Sequence, residues 1–346
     1  MNAPLVSVCL PSLNTFPYLR ERVDTILGQT LTNWELIVID SYSEDGSWEL
    51  FERLAREDRR VSIAQAPRGL YASWNRCIER ARGKYVYIAT SDDTMASDCL
   101  EKLVAALEEH EDCDLAHCSL RMIDKDGAPM QGLSGRDDSM FARSAPEMLK
   151  RRHIRRAPYD GMLHLTGWTV YRSITELLIR RSLFSRIGGF PTTWGPISDF
   201  NWDMKAGLVA NTIHVPDTWA SWRQYPGQST ASAGIFSVEY AQKVGEMIHD
   251  AVEQCKACLA PQVMAGLKGC WIPSSSCMRG YCAGLRSRPA VMRRRLFQLS
   301  RLGERPIRTE LLRRLRGEST WEESFPGEIR EWLERMGVRT VVACES

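Results

Sequence analysis

A chain of 346 residues, 44% hydrophobic and 25% charged, can bury a sizeable core and has an ordinary globular composition. Its formal net charge of +2 points to neither a nucleic-acid nor a strongly acidic partner. The opening Met1-Asn-Ala-Pro-Leu5 lacks a basic signal region, no apolar run approaches the roughly 20 residues of a membrane span, and eleven cysteines do not make a disulfide framework here; the expectation is a reduced, cytoplasmic protein.

Leu5-Val-Ser-Val-Cys-Leu10 is a short apolar run ended by Pro11, the pattern of a buried strand. Pro11-Ser-Leu-Asn14 follows as a loop. Tyr18, Leu19, Val23, Ile26 and Leu27 recur at helical spacing up to Gly28. Trp34-Glu-Leu-Ile-Val-Ile39 is a second strand, ending on the turn formers Asp40-Ser-Tyr-Ser-Glu-Asp-Gly46. Ser47 caps a helix carrying Leu50, Phe51 and Leu54. Val61–Ala64 is a third strand, Pro67-Arg-Gly69 a turn, and Leu70 to Ala81 a third helix closed by Gly83. Tyr85–Thr90 is a fourth strand, stopped by Ser91, Asp92 and Asp93; Leu100, Leu103, Val104 and Leu107 mark a fourth helix.

Strands alternating with helices of this length predict βαβ units and a mostly parallel, Rossmann-like sheet flanked by helices. Right-handed crossovers then line up four loops along one edge. Ligands of open α/β sheets bind outside the carboxyl ends of the strands. Paired carboxylates there, Asp92 and Asp93, suit a hard cation such as Mg²⁺ or Mn²⁺ held against a phosphate.

Further along, Asp114–Ile123 reads as a strand and Asp124-Lys-Asp-Gly127 as a turn. Residues 129–160 are polar and Arg-rich, with a helix expected near Pro146–Arg152. Leu177-Leu-Ile179 is strand-like, Ser182–Ile187 a helical turn, Ser198–Leu208 a helix, and Thr212–Val215 and Trp219–Trp222 two closing runs. From Val238 the period is helical. A Gly/Ser/Ala-rich stretch, Gly227–Ser237, therefore divides the chain into residues 1–237 (a nucleotide-binding half, about 1–123, and an acceptor half, about 124–237) and a helical region, 238–346. Cys255 and Cys258, one helical turn apart, read as core thiols rather than zinc ligands. Neither a G-x-S-x-G elbow nor a G-x-x-x-x-G-K-[ST] phosphate loop occurs.

The loops carry text that, in this order, resembles family 2 glycosyltransferases. The blocks are Pro11-Ser-Leu-Asn14; Gln29-Thr30 with Trp34–Asp40 and Ser43-Glu-Asp-Gly-Ser47; Gly69-Leu-Tyr-Ala-Ser-Trp-Asn75 with Ala81, Gly83 and Tyr85; Ser91-Asp-Asp93; and Ile179-Arg-Arg-Ser-Leu-Phe-Ser-Arg-Ile-Gly-Gly-Phe190, with Asp199 where the family's acidic catalytic motif falls. The resemblance covers about residues 5–230. It implies a GT-A fold and transfer of a sugar from a nucleoside-diphosphate donor, UDP first, to a hydroxyl acceptor such as a glycan or lipid-linked glycan. It also implies that Pro11, Ser12, Asn14, Asp40, Ser43, Arg68, Gly69, Asn75 and Asp92 bind the donor, that Asp92 and Asp93 hold Mn²⁺ or Mg²⁺, and that Asp199 is the general base.

Departures from the pattern are Thr90 where a first Asp can stand, Ser198 for Glu, Ala72 for Asp, Pro67 for Asn, and Tyr225 for His in Trp222-Arg-Gln-Tyr225. Two readings of Asp199 stand, a helix cap and a base; Asp203, one turn on, is the next candidate base. Arg180 and Arg181 are either diphosphate contacts or solvated charges. Residues 286–316, with eleven Arg against two Glu among leucines, form either amphipathic surface helices or a dock for an anionic membrane face. A sugar-1-phosphate nucleotidyltransferase would need a Gly-rich loop after the first strand, which Pro11–Asn14 lacks. A non-catalytic carbohydrate-binding protein would have lost the acidic residues, which are present.

Overall fold

The computed structural model describes residues 3–130, 139, 146–165, 169–226, 238–261, 263–264, 330–331, 333–335 and 337–344. In chain order the elements are β1 (Val6–Ser12), α1 (Phe16–Leu27), β2 (Trp34–Asp40), α2 (Ser47–Glu57), β3 (Val61–Gln65), α3 (Leu70–Arg80), β4 (Tyr85–Ile88), α4 (Cys99–Glu109) and β5 (Cys113–Ile123). There follow β6 (His153–Arg155), α5 (Tyr159–His164), β7 (Leu177–Arg180), α6 (Ser182–Ile187), α7 (Ser198–Val209), β8 (Asn211–Arg223), α8 (Val238–Cys255) and β9 (Val341–Ala343). Single 3₁₀ turns occur at Pro146–Lys150, Ile174–Glu176 and Gly195–Ile197.

The strands form one sheet in the order β3-β2-β1-β4-β7-β5-β8-β6-β9. Strands β1, β2 and β4 are buried along their whole length, because helices cover both faces. Side chains alternate across a strand, so each strand feeds two cores. Val8, Leu10, Leu36 and Val38 pack with α1, α2 and α4 on one face. Cys9, Ile37, Ile39, Val86 and Ile88 pack with α3, α5, α6, α7 and α8 on the other. Helices α5 and α7 cross backbone to backbone: a Cβ on Gly207 would sit 2.5 Å from the Gly161 amide nitrogen. That close approach seats α7, whose first turn carries Asp199.

The structure departs from the sequence expectation in several places. Pro11 does not end the first strand; β1 stays paired with β2 out to Ser12↔Asp40. The β4 ladder ends at Cys9↔Ile88, so the missing N–H of Pro11 falls where one side of the strand is already open. Strand β7 runs antiparallel between β4 and β5, so the parallel half gives way to a mixed half. The two runs at 212–215 and 219–222 are one strand, β8, whose register shift opposite Cys118 and Ser119 absorbs Pro216. The expected helix near Pro146 is only a 3₁₀ turn leading into β6.

Beyond residue 237, Val238–Cys255 is helical as expected, and Val244, Met247, Ile248, Ala251 and Cys255 share the core of α7. Val341–Ala343 is instead a strand, a β-branched pair laid on the free side of β6. Cys255 is buried, but Cys258 is exposed and not a core thiol. The stretches 227–237 and 286–316 and Cys270, Cys277 and Cys282 lie outside the described residues.

Candidate active site

Loops at the C-terminal ends of β1, β2, β3 and β4 meet the start of α7 and the end of β8 around an open cavity of about 390 Å³. Its walls are Pro11, Ser12 and Leu13 after β1, Ser41 after β2, Arg68 to Tyr71 before and within α3, and Thr90 to Asp93 after β4. Arg172 to Ile174, Pro196 and Asp199, and Trp222 and Tyr225 complete it. Of the expected site residues, Pro11, Ser12, Arg68, Gly69, Asp92, Asp93 and Asp199 come together there; Asn14, Asp40, Ser43 and Asn75 do not line it.

The two neighbouring carboxylates differ sharply. Asp93 is not at a solvent-facing strand end, as its place in the sequence suggests, but only 1% exposed. Its Oδ1 accepts the Arg223 backbone N–H at 2.7 Å and its Oδ2 the Thr90 hydroxyl. Burial, then the adjacent charge of Asp92, pushes its pKa up to about 7 against the opposing pull of Thr90, the Arg223 amide and Arg22. Asp92 is half-buried and accepts the Tyr225 hydroxyl on Oδ2 at 2.8 Å; among the described residues no donor reaches Oδ1. The Arg223 guanidinium, itself buried, turns away to the carbonyls of Asp92, Asp124 and Lys125 and to Glu21. A crowded pair of acids, with one oxygen that no donor or side-chain cation among the described residues reaches, is a donor set that fits a divalent ion. Among the described residues no group of three or more Asp, Glu, His or Cys forms a metal cage. Such an ion would take its other ligands from a phosphate and water, as Mg²⁺ commonly does.

Asp199 lies in the first turn of α7 but does not cap it; the cap position is Ile197, with no side-chain bond. Its Oδ1 accepts Tyr71 Oη–H at 2.9 Å and the Phe200 amide at 3.0 Å, and among the described residues no donor reaches its Oδ2. Burial pushes its pKa up to about 6, with the Tyr71 and Phe200 bonds pulling the other way. The Pro196 carbonyl also lies 2.9 Å from Tyr71 Oη, so the single hydroxyl proton is shared between it and Asp199, and the ring is wedged against Trp74 and Phe190. Asp203 is buried, and burial together with Asp199 and Glu176 holds its pKa well above the carboxylate range. Unlike Asp199, it does not line the cavity.

The remaining expected residues build the frame. Asp40 is fully buried and takes the Ser43 amide (2.8 Å) and hydroxyl (2.6 Å) on its two oxygens. Ser43 Oγ in turn accepts the Asn14 amide at 2.9 Å, and Asn14 Oδ1 accepts the Glu44 amide at 2.9 Å. These bonds tie the loop after β1 to the loop after β2. Asn75 exchanges two bonds with the Phe190 backbone, 2.8 and 2.9 Å, and a Cβ on Gly189 would sit 2.5 Å from its Oδ1. Asn75 thus holds the Gly189-Phe190 turn against α3. Arg180 and Arg181 are at the opposite edge of the sheet, because β7 is antiparallel and delivers its C-terminus beside Tyr85 at the start of β4. They bond the carbonyls of Leu107, Cys113 and Gly83.

Residues 7–188 match the model of glycosyl transferase family 2, just over half of the chain. The chain belongs to this family. The matched region takes in Asp92 and Asp93 and ends before Asp199. TuaG of Bacillus subtilis, a glycosyltransferase named for teichuronic acid biosynthesis, is 32% identical over 129 residues, 37% of this chain and 51% of TuaG. A PGL/p-HBAD biosynthesis glycosyltransferase of Mycobacterium bovis is 24% identical over 238 residues, 66% of this chain and 80% of that protein. With TuaG and two further glycosyltransferase relatives, the chain spans 33% to 54% of their lengths. Among solved structures, residues 1–349 of S. aureus TarS in complex with UDP-GlcNAc align over 96% of this chain and 92% of that one, with a TM-score of 0.54 at 15% identity. A mannosyltransferase of Pyrobaculum calidifontis in complex with GDP-Man and Mn²⁺ aligns over 97% and 89%, with a TM-score of 0.50 at 18% identity. The shared fold is GT-A.

Several cavity residues carry no site assignment in the sequence, among them Tyr71, Arg172, Ser173 and Trp222. Tyr71 stands inside the Gly69–Asn75 block, and that was its signal. Arg172 and Ser173 sit in no recognisable motif; Arg172 is stacked over Trp222 at 5.4 Å.

Proposed function

We propose that this chain is a metal-dependent, inverting glycosyltransferase that moves a sugar from a nucleoside diphosphate, UDP first, to a hydroxyl of a glycan or lipid-linked acceptor. One observation carries the reading: the Asp92–Asp93 pair and Asp199, over a hundred residues apart, line a single cavity at the carboxyl edge of the sheet. A divalent cation supplies charge neutralisation for the departing diphosphate. Asp92 would hold it through its open Oδ1, with Asp93 fixing the turn beneath. Pro11, Ser12, Arg68 and Gly69 would border the donor, and the Asp40–Ser43–Asn14 chain would shape the base pocket. Asp199 would accept the acceptor's hydroxyl proton on its unoccupied Oδ2 as that oxygen attacks the anomeric carbon, the diphosphate leaving from the other face and the centre inverting.

Residues 1–123 then form the nucleotide half and 124–237 the acceptor half. Residues 286–316 would hold the protein to an anionic cytoplasmic membrane face, where a lipid-linked acceptor lies. The test is a thermal-shift series with UDP, GDP and their sugars, with and without Mn²⁺. Selective binding at a hundredfold excess over Kd stabilises by about 2.7 kcal/mol. A metal-dependent shift with one nucleotide supports the reading, and no shift with any of them sinks it.

A further inference from the structure

Among the described residues only three large hydrophobic side chains are exposed: Phe16, Tyr42 and Leu70, at 45%, 55% and 43%. They are not scattered. Phe16 opens α1 after β1, Tyr42 sits in the loop after β2, and Leu70 opens α3 after β3. Each comes from the carboxyl end of one of three adjacent strands, at the edge that carries the cavity.

Tyr42 is singular in a second way. Its φ is +60°, the left-handed region, which it shares among described non-glycine residues only with Asn14. Asparagine visits that region readily, whereas a bulky aromatic is an outlier there. The strain is imposed from both sides. Ser41 N–H is fixed on the Ser12 carbonyl at 2.8 Å, and Ser43 is clamped to Asp40 by both its amide and its hydroxyl. Ser41 lines the cavity, and the next residue is thrust outward with its ring in water. Strained, over-determined conformations of this kind gather at ligand sites. A rigid ring already in place also loses little freedom on binding, which favours affinity.

We propose that the Tyr42 ring is the stacking platform for the nucleobase of the donor. This rests on the nucleotide-binding reading of the cavity and adds to it the residue that grips the base. The face of the ring meets the base beside Ser41, the cavity-lining residue next to it, while the Asp40–Ser43 and Asn14–Ser43 bonds hold the loop behind the ring in place. Stacking acts on the base alone, so the diphosphate end of the ligand is indifferent to Tyr42.

The experiment measures UDP, GDP and inorganic pyrophosphate binding by calorimetry with Mn²⁺ present, in the wild type, Tyr42→Asn and Tyr42→Phe. Asparagine keeps the left-handed backbone without a ring; phenylalanine keeps the ring without the hydroxyl. The Tyr42→Asn variant should melt at or above the wild-type temperature, since the aromatic strain is gone. It should bind the preferred nucleotide about 5- to 150-fold more weakly, the range for one lost base–aromatic stack. Pyrophosphate affinity should not change, and Tyr42→Phe should bind nucleotide like the wild type. If the wild type binds a nucleotide and Tyr42→Asn binds it equally well, the platform is refuted and the cavity reading survives. Equal losses for nucleotide and pyrophosphate, or for Asn and Phe, also overturn it, by assigning Tyr42 a structural or hydroxyl role. Wild type that binds neither UDP nor GDP removes the cavity reading itself.

Discussion

Tyr71→Phe tests whether the carboxylate on α7 works as a base. With a pKa of about 6, Asp199 is roughly nine-tenths ionised at pH 7, so activity should rise with pH through about 6 and level off above it. The ring of Tyr71 packs on Trp74 and Phe190, and phenylalanine keeps that packing. What disappears is one hydrogen bond to the ionised form, from Tyr71 Oη at 2.9 Å. A bond to a charged group is worth about 1.5–3 kcal/mol, and each pKa unit is about 1.4 kcal/mol, so the pKa should climb by about one to two units. The ionised fraction at pH 7 then falls to between about a half and a tenth. The assay is initial rate against pH at saturating donor. The acidic limb should move from about 6 to about 7–8, with most of the rate recovered at pH 9. A loss of equal size at every pH would refute the reasoning, since it would show Tyr71 acting on the fold or substrate rather than on the Asp199 proton. Asp199→Asn, in the same assay, should lose about 10²- to 10⁴-fold in turnover with UDP affinity nearly unchanged.

Three further outcomes are expected. Asp93→Ala should unfold at lower urea at pH 5, where the Asp93 carboxyl is protonated and no buried charge is relieved, by about 1–3 kcal/mol, because it strands the buried Arg223 amide; an unchanged urea midpoint there would show that this bond carries nothing. His164 is fully buried with its pKa driven down to about 3 by burial, so its stabilising contribution is complete above the unfolded value near 6.5 and is lost as pH falls toward 3. The melting temperature of His164→Leu relative to wild type should therefore rise steadily from pH 7 to pH 5, and a constant difference would contradict the neutral imidazole. Binding of the full chain to anionic vesicles should be clear at low salt and fall steeply as salt is raised; no binding at low salt would leave residues 286–316 without a membrane role.

The parallel half of the fold was legible because its information is local. Each strand of β1 to β4 is a short apolar run, each helix a 3.6-residue period, and each turn a cluster of Gly, Pro, Asp or Ser. The carboxylates at the end of β4 follow from that alternation alone. The mixed half was less legible because its order is set by pairing across distance. Nothing within Leu177–Arg180 says that it inserts antiparallel between β4 and β5, yet that insertion decides that Arg180 and Arg181 face away from the cavity. Likewise Val341–Ala343 is too short to announce itself and becomes a strand only because β6 offers an open side.

The same division runs through the site. Residue types were readable, but their partners were not. Asp93 and Asp92 are neighbours in sequence with the same chemistry, and only the return of β8 separates their roles. That strand brings the Arg223 amide onto Asp93, 130 residues away, and Tyr225 onto Asp92, 133 residues away. Both line the cavity, but Asp93 has both oxygens bonded to its surroundings, whereas Asp92 has a bond from Tyr225 on one. Asp199 is a parallel case, since Tyr71, 128 residues away, lowers a pKa that burial raises. A motif can name an acid, but its proton affinity is a sum over groups that the fold brings from elsewhere. The departures from the family pattern belong to this second kind. Tyr225, standing where the family usually has His, puts its hydroxyl on one oxygen of Asp92, a bond that a histidine of different reach would set differently.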